Sequence, residues 1–231
     1  MPYKAVIFDL YGTLVGNFSL KAYNKVQEEM AKILGVSYPK FWQAMGETIK
    51  DRSLGNLSAE ENIVEVCRPL GVKANRMQIE QVVFLKDEFT RKSIIPEPEV
   101  LEALDLLKRN GLYTGLITNC NSAVPRFFPE SPLSQYIDAP VFSCEERIKK
   151  PSRRIYEIAC ERLQVQPQAC LYVGDGSDKE LTTAAAVGML PILKRTDLKD
   201  VYDPHRPEVD NWQGHVIDEI LELSTIISEL A

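Results

Sequence analysis

Residues 4–14 read Lys-Ala-Val-Ile-Phe-Asp-Leu-Tyr-Gly-Thr-Leu. The first five of these residues form a short, mostly apolar run that ends at Asp9. Such a run is typical of a strand that is buried on both faces of a parallel sheet. A polar residue directly after such a strand lies at the carboxyl edge of the sheet, which is where open α/β sheets bind their ligands.

The rest of the chain repeats this alternation of short apolar runs and helical patterns. Strands separated by helices form right-handed β-α-β crossovers and a parallel sheet that is covered on both faces. We therefore predict an α/β fold. The expected strands are residues 113–118, 140–142, 170–175 and 189–193; the expected helices are residues 152–163, 178–187 and 217–230, and an irregular loop is expected at 198–214.

The segment 18–93 interrupts the alternation because its pattern is helical throughout. Residues 58–61, Ser-Ala-Glu-Glu, match a capping box, and prolines and glycines divide the segment into about four helices. We interpret the segment as an inserted cap. The prediction is thus a Rossmann-like parallel sheet core formed by residues 1–17 and 94–231, with a four-helix cap domain at residues 18–93.

The composition is that of an ordinary soluble globular protein. The 231 residues include 27 Lys and Arg against 33 Asp and Glu, a net charge of −6, and 45% are hydrophobic. An acidic chain without a basic block argues against nucleic acid as a partner. No apolar run approaches the roughly 20 residues that span a bilayer. The short run before Asp9 does not fit a signal peptide, so we expect a cytoplasmic protein without a membrane segment.

Histidine and cysteine usage excludes several further chemistries. The only two histidines, His205 and His215, argue against a His-rich zinc site and against a Ser-His-Asp triad. The five cysteines form no C-x-x-C pair, which favours reduced and mostly buried thiols. No pattern indicates the oligomeric state.

Polar residues follow three of the expected strands and should meet at one edge of the sheet. These residues are Asp9, the pair Thr118 and Asn119, and Asp175. Two carboxylates buried near one another require a compensating cation. Mg²⁺ suits such a site because it binds a small number of carboxylates together with water. Lys150 could add a fixed positive charge, and the set would then form a receptor for a phosphoryl group.

These residues resemble the four motifs of the haloacid dehalogenase-like (HAD) superfamily in their order and spacing. The stretch from Asp9 to Leu14 is similar to the first motif, and Thr118 with Asn119 is similar to the second. Lys150 resembles the third motif, and residues 174–180, Gly-Asp-Gly-Ser-Asp-Lys-Glu, resemble the fourth. The helical insertion between the first two motifs matches the superfamily's smaller cap type.

The resemblance implies a nucleophile and a metal site. Asp9 would attack phosphorus and form an aspartyl intermediate that water later hydrolyses. The other carboxylate oxygen of Asp9, the backbone carbonyl of Tyr11 and the side chain of Asp175 would bind Mg²⁺. Glu180 would support the metal, and Asp178 competes with it for that role because the spacing varies within the superfamily.

The resemblance also implies which residues would bind the substrate. Thr118 and the amide of Asn119 would hold the oxygens of the transferring group, and Lys150 would orient Asp9 and neutralise charge. Arg52, beside a turn in the predicted cap, could reach over the site and contact substrate, and a solvated surface arginine is the alternative interpretation. The expected partner is a small phosphate ester or a haloacid.

One position departs from the phosphatase pattern. Phosphatases of the superfamily usually carry a second Asp two residues after the nucleophile as general acid and base, and this chain has Tyr11 there. General acid–base catalysis typically contributes about 10² to 10⁴ in rate. Tyrosine at this position is similar to the 2-haloacid dehalogenases, in which halide leaves without a proton and no metal is needed.

The fourth motif favours the phosphatase interpretation, because dehalogenases of that type resemble one another in having Ser-Ser-Asn where this chain keeps acidic residues. We therefore predict a magnesium-dependent phosphatase that acts on a small phosphorylated metabolite and lacks the usual general acid and base. A 2-haloacid dehalogenase and a weakly active or regulatory protein remain the alternatives.

Overall fold

The computed structural model describes residues 3–230, and six parallel strands in this part of the chain form one sheet. Each strand is short, and the strand of residues 5–8 lies in the middle of the sheet, between the strands of residues 113–118 and 170–174. The predicted α/β fold with a Rossmann-like parallel sheet is confirmed. The strands are β1 Ala5–Phe8, β2 Tyr113–Thr118, β3 Ala139–Phe142, β4 Cys170–Gly174, β5 Leu190–Lys194 and β6 His215–Ile217, in the order β3-β2-β1-β4-β5-β6.

The sheet is buried on both faces because side chains alternate across each strand. Val6 and Phe8 of β1 belong to one apolar cluster, whereas Ala5 and Ile7 belong to the cluster on the other face. All four residues are completely buried, which explains the continuous apolar run in the sequence. The helices that cover the two faces are α6 to α11, whose bounds are given below.

The edge strand β6 was not predicted, and the end of the chain differs from the expectation there. β6 is only three residues long and pairs with residues 192–194 of β5. So short a run carries no periodic signal, and the pairing with β5 determines it. The helix expected over residues 217–230 is correspondingly shorter, since Ile217 ends the strand and a 3-10 turn at Ile220–Glu222 precedes the helix Leu223–Glu229.

We predicted four helices in residues 18–93. The structure describes this whole segment and contains five helices between residues 20 and 93, so the predicted number was wrong. The additional helix is the five-residue α3, which Thr48 separates from α2. Thr48 has φ −93° and ψ 0°, so the backbone leaves the helical region for one residue. The capping box of Ser58 and Glu61 is present at the start of α4. The five helices are α1 Leu20–Leu34, α2 Tyr38–Glu47, α3 Ile49–Ser53, α4 Ala59–Cys67 and α5 Arg76–Ser93.

Four of these helices, α1, α2, α4 and α5, enclose an apolar cluster of their own, formed by buried side chains between Met30 and Val83. This separate core is what an inserted cap requires, and the domain boundaries at residues 17–18 and 93–94 stay a prediction. The remaining helices are α6 Pro98–Arg109, α7 Ala123–Phe127, α8 Ser143–Glu146, α9 Arg153–Leu163, α10 Glu180–Val187 and α11 Leu223–Glu229.

Two global expectations concern cysteines and membranes. All five cysteines are free and buried, as predicted for small hydrophobic residues. Among residues 3–230, no helix is both long enough and apolar enough to cross a bilayer.

Candidate active site

The carboxyl ends of β1, β2 and β4 bring the three predicted groups of polar residues to one edge of the sheet. Asp9 is 5% exposed, and Thr118 and Asp175 are each 1% exposed. Gly12, in the turn after β1, has φ +78°, and a Cβ atom there would lie 2.3 Å from Oδ2 of Asp175. The glycine thus permits both the sharp turn and the close approach of the Asp175 carboxylate.

Lys150 is the centre of the buried charge at this edge. Its Nζ lies 2.5 Å from Oδ1 of Asp9 and 2.6 Å from Oε2 of Glu180, and its side chain is only 1% exposed. The hydroxyl of Tyr172 donates to the same oxygen of Glu180 at 2.8 Å. The backbone amide of Gly176 donates to Oε1 of Glu180 at 3.0 Å, so both oxygens of this carboxylate accept hydrogen bonds.

Burial and neighbouring charge shift the pKa values of this cluster. Burial raises the pKa of Asp9, and Lys150 opposes that shift. Burial likewise raises the pKa of Glu180 to about 8 against the opposing effect of Lys150. Burial alone would lower the pKa of Lys150, but Asp9 and Glu180 outweigh it and hold the pKa well above its usual range. Lys150 is therefore a permanent cation, and its charge opposes the rise that burial causes in the pKa of both adjacent carboxylates.

Asn119 connects the end of β2 to the segment that carries Lys150. Its side-chain oxygen accepts from the backbone amide of Lys150 at 2.9 Å, and its side-chain nitrogen donates to the Lys150 carbonyl at 3.2 Å. The same nitrogen donates to Oδ2 of Asp178 at 2.6 Å. The side chain of Asn119 is thus used to position Lys150, and Thr118 and Asn119 both line the cavity described below.

The acidic residues at this edge can provide a cation site. Asp9, Asp175 and Glu180 each offer a carboxylate oxygen, and these oxygens lie within 4.8 Å of one another. Asp178, the competing candidate, is outside this group and bonds to Asn119 instead. Buried carboxylate oxygens are the ligands that suit Mg²⁺, so the donor set fits this ion.

Sequence reasoning missed one residue of this site, Arg206. Its Nη2 lies 2.6 Å from Oδ2 of Asp175, and the two side chains are 7% and 0% exposed. Arg206 lies in the loop expected at residues 198–214, which separates it from Asp175 by 31 residues. The only available signal was its position between Pro204 and Pro207, where the prolines restrict the backbone.

The hydroxyl of Tyr11 is used in a hydrogen bond and is not free to act as a general acid or base. Its hydroxyl lies 3.0 Å from Oγ of Ser93, and Ser93 donates its own proton to the carbonyl of Thr90 at 2.8 Å. Tyr11 is therefore the donor to Ser93. Burial raises the pKa of Tyr11 above its usual value, which makes the phenol a poorer acid still.

A cavity of about 210 Å³ lies between the helices of residues 20–93 and the sheet edge. Asp9, Thr118 and Lys150 line one side of it, and Arg52 lines the other. Arg52 is 8% exposed, which excludes the solvated alternative, and its Nη1 donates to the carbonyl of Met45 at 2.9 Å. An aromatic group made of Tyr11, Phe18, Tyr23 and Tyr202 completes the wall.

A parallel α/β sheet with buried carboxylates at its carboxyl edge, a lysine between them and helices over the cavity defines a class of capped hydrolases. The chain belongs to the haloacid dehalogenase-like hydrolase family, whose model matches residues 3–188. The superfamily assignment made from the sequence motifs is thereby confirmed.

Several proteins resemble this chain along almost its whole length. A glyceraldehyde 3-phosphate phosphatase of Methanopyrus kandleri is 24% identical over 236 residues, 99% of this chain and 98% of that protein. A ribulose-1,5-bisphosphate 5-phosphatase of Halopiger xanaduensis is 24% identical and covers 97% and 99%. The solved structure of a 2-haloacid dehalogenase from Pseudomonas syringae has a TM-score of 0.70 at 21% identity, covering 99% and 100%. At that identity the structural likeness concerns the fold.

Proposed function

We propose that the protein is a magnesium-dependent phosphatase that hydrolyses a small phosphorylated metabolite through an aspartyl-phosphate intermediate on Asp9. The observation that carries the proposal is the acidic group of Asp9, Asp175 and Glu180, with its oxygens within 4.8 Å, at the edge of a small-molecule cavity. The two phosphatases that match this chain along almost its whole length support a phosphate ester as the substrate class.

In this proposal Asp9 is the nucleophile and Lys150 prepares it. Lys150 holds one oxygen of Asp9 at 2.5 Å and favours the ionised carboxylate against the opposing effect of burial. Asp9 attacks phosphorus, the bond from phosphorus to the ester oxygen breaks, and the leaving group departs with that electron pair. A water molecule then attacks the same phosphorus, which releases phosphate and restores the Asp9 carboxylate.

The other residues hold the substrate and the ion. Thr118 and the backbone amide of Asn119 bind oxygens of the phosphoryl group. Asp9, Asp175 and the carbonyl of Tyr11 would hold Mg²⁺, and Glu180 supports the site through Lys150. When bound, Mg²⁺ supplies positive charge that neutralises the phosphoryl oxygens. Arg52, from the opposite wall, is positioned to contact the remainder of the substrate.

The position of Tyr11 leads to a preference among substrates. The phenol donates to Ser93, so the leaving oxygen obtains no proton from this position. We therefore propose that acyl and aryl phosphates, whose leaving groups need no protonation, react faster than alkyl phosphates. Alkyl phosphates that react as fast as aryl phosphates would contradict this preference.

The test is phosphate release from a panel of small phosphate esters, with Mg²⁺ and with a chelator. We expect activity only with Mg²⁺, and a loss of at least about 1,000-fold in Asp9→Asn. Asp105→Asn is the matched control, because Asp105 forms only a surface pair with Arg109 at 2.5 Å. Activity that is unchanged in Asp9→Asn, or that persists after chelation, would contradict the proposal.

A 2-haloacid dehalogenase is the second candidate, and the side chain of Tyr11 favours it. A halide leaves without a proton, so the absence of an acid beside Asp9 has no cost in that reaction. The assay is chloride release from 2-chlorocarboxylic acids in the presence of chelator. Metal-independent release that depends on Asp9 would select this function over the phosphatase.

A further inference from the structure

Arg206 provides a second buried cation at the candidate metal site. Its guanidinium contacts Oδ2 of Asp175 at 2.6 Å. The other oxygen of Asp175, Oδ1, accepts from the backbone amide of Ser177 at 3.1 Å. Oδ2 is the oxygen that lies against Gly12 in the turn after β1. Arg206 and the Ser177 amide therefore occupy the two oxygens of Asp175, which is one of the three carboxylates whose oxygens lie within 4.8 Å of one another.

The segment around Arg206 holds the guanidinium in place. Nη1 of Arg206 donates to the carbonyl of Asp203 at 2.7 Å and to that of His205 at 3.2 Å. Two residues further on, Glu208 accepts from the backbone amides of Leu181 and Thr182 at 2.9 and 2.7 Å, at the start of α10. These hydrogen bonds hold the segment around Arg206 in place, and the guanidinium of Arg206 contacts Asp175.

One polar atom of Arg206 lacks a partner. Its Nε is buried and forms no hydrogen bond with any of residues 3–230. A buried donor without an acceptor destabilises the arrangement. Arg206 is thus held against Asp175 by charge while part of its hydrogen-bonding capacity is unmet. This is expected of a contact that another cation can displace.

From these contacts we propose that Arg206 is a positioning residue that competes with Mg²⁺ for Asp175 and thereby lowers the affinity of the site for the ion. The inference rests on the proposed metal-dependent function. A guanidinium and a divalent cation on one carboxylate oxygen repel each other strongly at low dielectric. Binding of Mg²⁺ therefore requires Arg206 to withdraw from Oδ2, together with residues 201–208 that carry it.

The first test is isothermal titration calorimetry with Mg²⁺ alone on the full chain. We expect Arg206→Gln to bind Mg²⁺ at least tenfold more tightly than wild type, and Arg206→Lys to lie closer to wild type. Arg195→Gln, which removes an exposed arginine paired with Asp218 at 3.4 Å, is the matched control and should not change the affinity. A residue with a merely structural role would weaken binding when replaced.

The outcomes separate this inference from the proposed function. Equal or weaker Mg²⁺ binding by Arg206→Gln, with clear binding by wild type, overturns the competition and leaves the metal-dependent function intact. No binding by either protein overturns both. Loss of binding in Asp175→Asn, with tighter binding in Arg206→Gln, supports both. If Arg206→Gln fails to fold, Arg206→Met is titrated in its place, and Mg²⁺ binding by that variant that is equal to or weaker than wild type overturns the inference.

The second test follows the segment itself through Trp212 fluorescence. Trp212 lies six residues after Arg206, and its Nε1 donates to the carbonyl of His215 at 3.0 Å. Trp42→Phe removes the other tryptophan, which is 46% exposed on α2. We expect Mg²⁺ to change the emission of Trp212, and the added Arg206→Gln change to produce that emission without Mg²⁺. An emission that does not respond while calorimetry records binding overturns the withdrawal of the segment.

Discussion

Lys150 and Lys86 are both almost fully buried, but they have opposite electrostatic surroundings. Lys150, at the sheet edge, contacts Asp9 and Glu180 at 2.5 and 2.6 Å. Lys86, on α5, forms no salt bridge with any carboxylate among residues 3–230, and Arg52 lies near it. The pKa of Lys150 is raised well above its usual value, whereas burial and then Arg52 lower the pKa of Lys86 to about 7.

The comparison distinguishes a buried cation that has compensating carboxylates from one that has no salt bridge among residues 3–230. A buried cation is stable where carboxylates and hydrogen bonds surround it, and it is costly where they do not. At the sheet edge the same groups that compensate Lys150 are those proposed to carry the chemistry. In the helical segment 20–93, we expect Lys86 to reduce stability, because its neighbour Asp87 pairs with Arg126 rather than with it.

The largest expected effect comes from Lys150→Met. This change leaves Asp9 and Glu180 buried without their cation, so we expect the free energy of unfolding to fall by about 3–5 kcal/mol. Urea denaturation at pH 7 measures it. Lys108→Met is the control, since Lys108 pairs with Asp138 at 2.5 Å but is 31% exposed, and should cost at most about 1 kcal/mol. Equal losses in the two variants would remove the distinction between the sites.

Lys86→Met should have the opposite sign and stabilise the protein. At pH 6 the ammonium must be buried without a partner, so we expect a gain of about 1–3 kcal/mol in the free energy of unfolding. The folded pKa of about 7 lies below the usual 10.5, so the unfolded chain binds more protons between these values. Wild-type stability therefore rises with pH across this window, relative to the variant.

Urea titrations of both proteins at pH 6 and pH 9.5 test this sign. The advantage of Lys86→Met should shrink as the pH rises through the folded pKa and the wild-type lysine loses its proton in the folded state. An advantage that is constant with pH, or a destabilised variant at pH 6, would show that Lys86 has a compensating partner and that the two lysines are alike.

Tyr172→Phe tests the hydrogen bonds around Lys150 with a smaller change. The Tyr172 hydroxyl is the donor to Glu180 at 2.8 Å, and its loss should lower the free energy of unfolding by about 1–2 kcal/mol. Tyr113→Phe is the control because Tyr113 is 51% exposed. A loss in Tyr113→Phe as large as that in Tyr172→Phe would contradict the role given to this bond.

The smallest effect on activity is expected for Tyr11→Phe. Because the phenol donates to Ser93, its removal should change the rate of phosphate release by less than about threefold. Ser93→Ala, which removes the acceptor, should behave in the same way. A decrease of 10² or more in Tyr11→Phe alone would identify the phenol as a general acid.

The central features of the fold and site were predictable because they depend on local patterns. The continuous apolar run before Asp9 indicated a strand buried on both faces, and Asp175 follows an equivalent run. Parallel strands in a sheet place such residues at one edge whatever the details of packing. Lys150 was considered as a fixed positive charge from its position in the sequence, and its resemblance to the third motif then assigned it a role beside Asp9.

Other features depend on contacts that no local pattern encodes. The strand β6 exists through its pairing with β5, and α3 is separate from α2 because of one backbone conformation at Thr48. Arg206 reaches Asp175 only because its loop is attached at the start of α10. The bonds from Glu180 to Lys150 and Tyr172 likewise depend on tertiary packing, and they show that an acidic residue near a metal site can serve a lysine.

The most direct test of the account is a crystal structure of the full chain with Mg²⁺ and beryllofluoride, a mimic of the phosphoryl group. We predict a beryllofluoride adduct on the carboxylate of Asp9, a cation bound between Asp9 and Asp175, and Glu180 still bonded to Lys150. A structure at saturating Mg²⁺ and beryllofluoride that has no adduct on Asp9 and no cation beside Asp175 would contradict it.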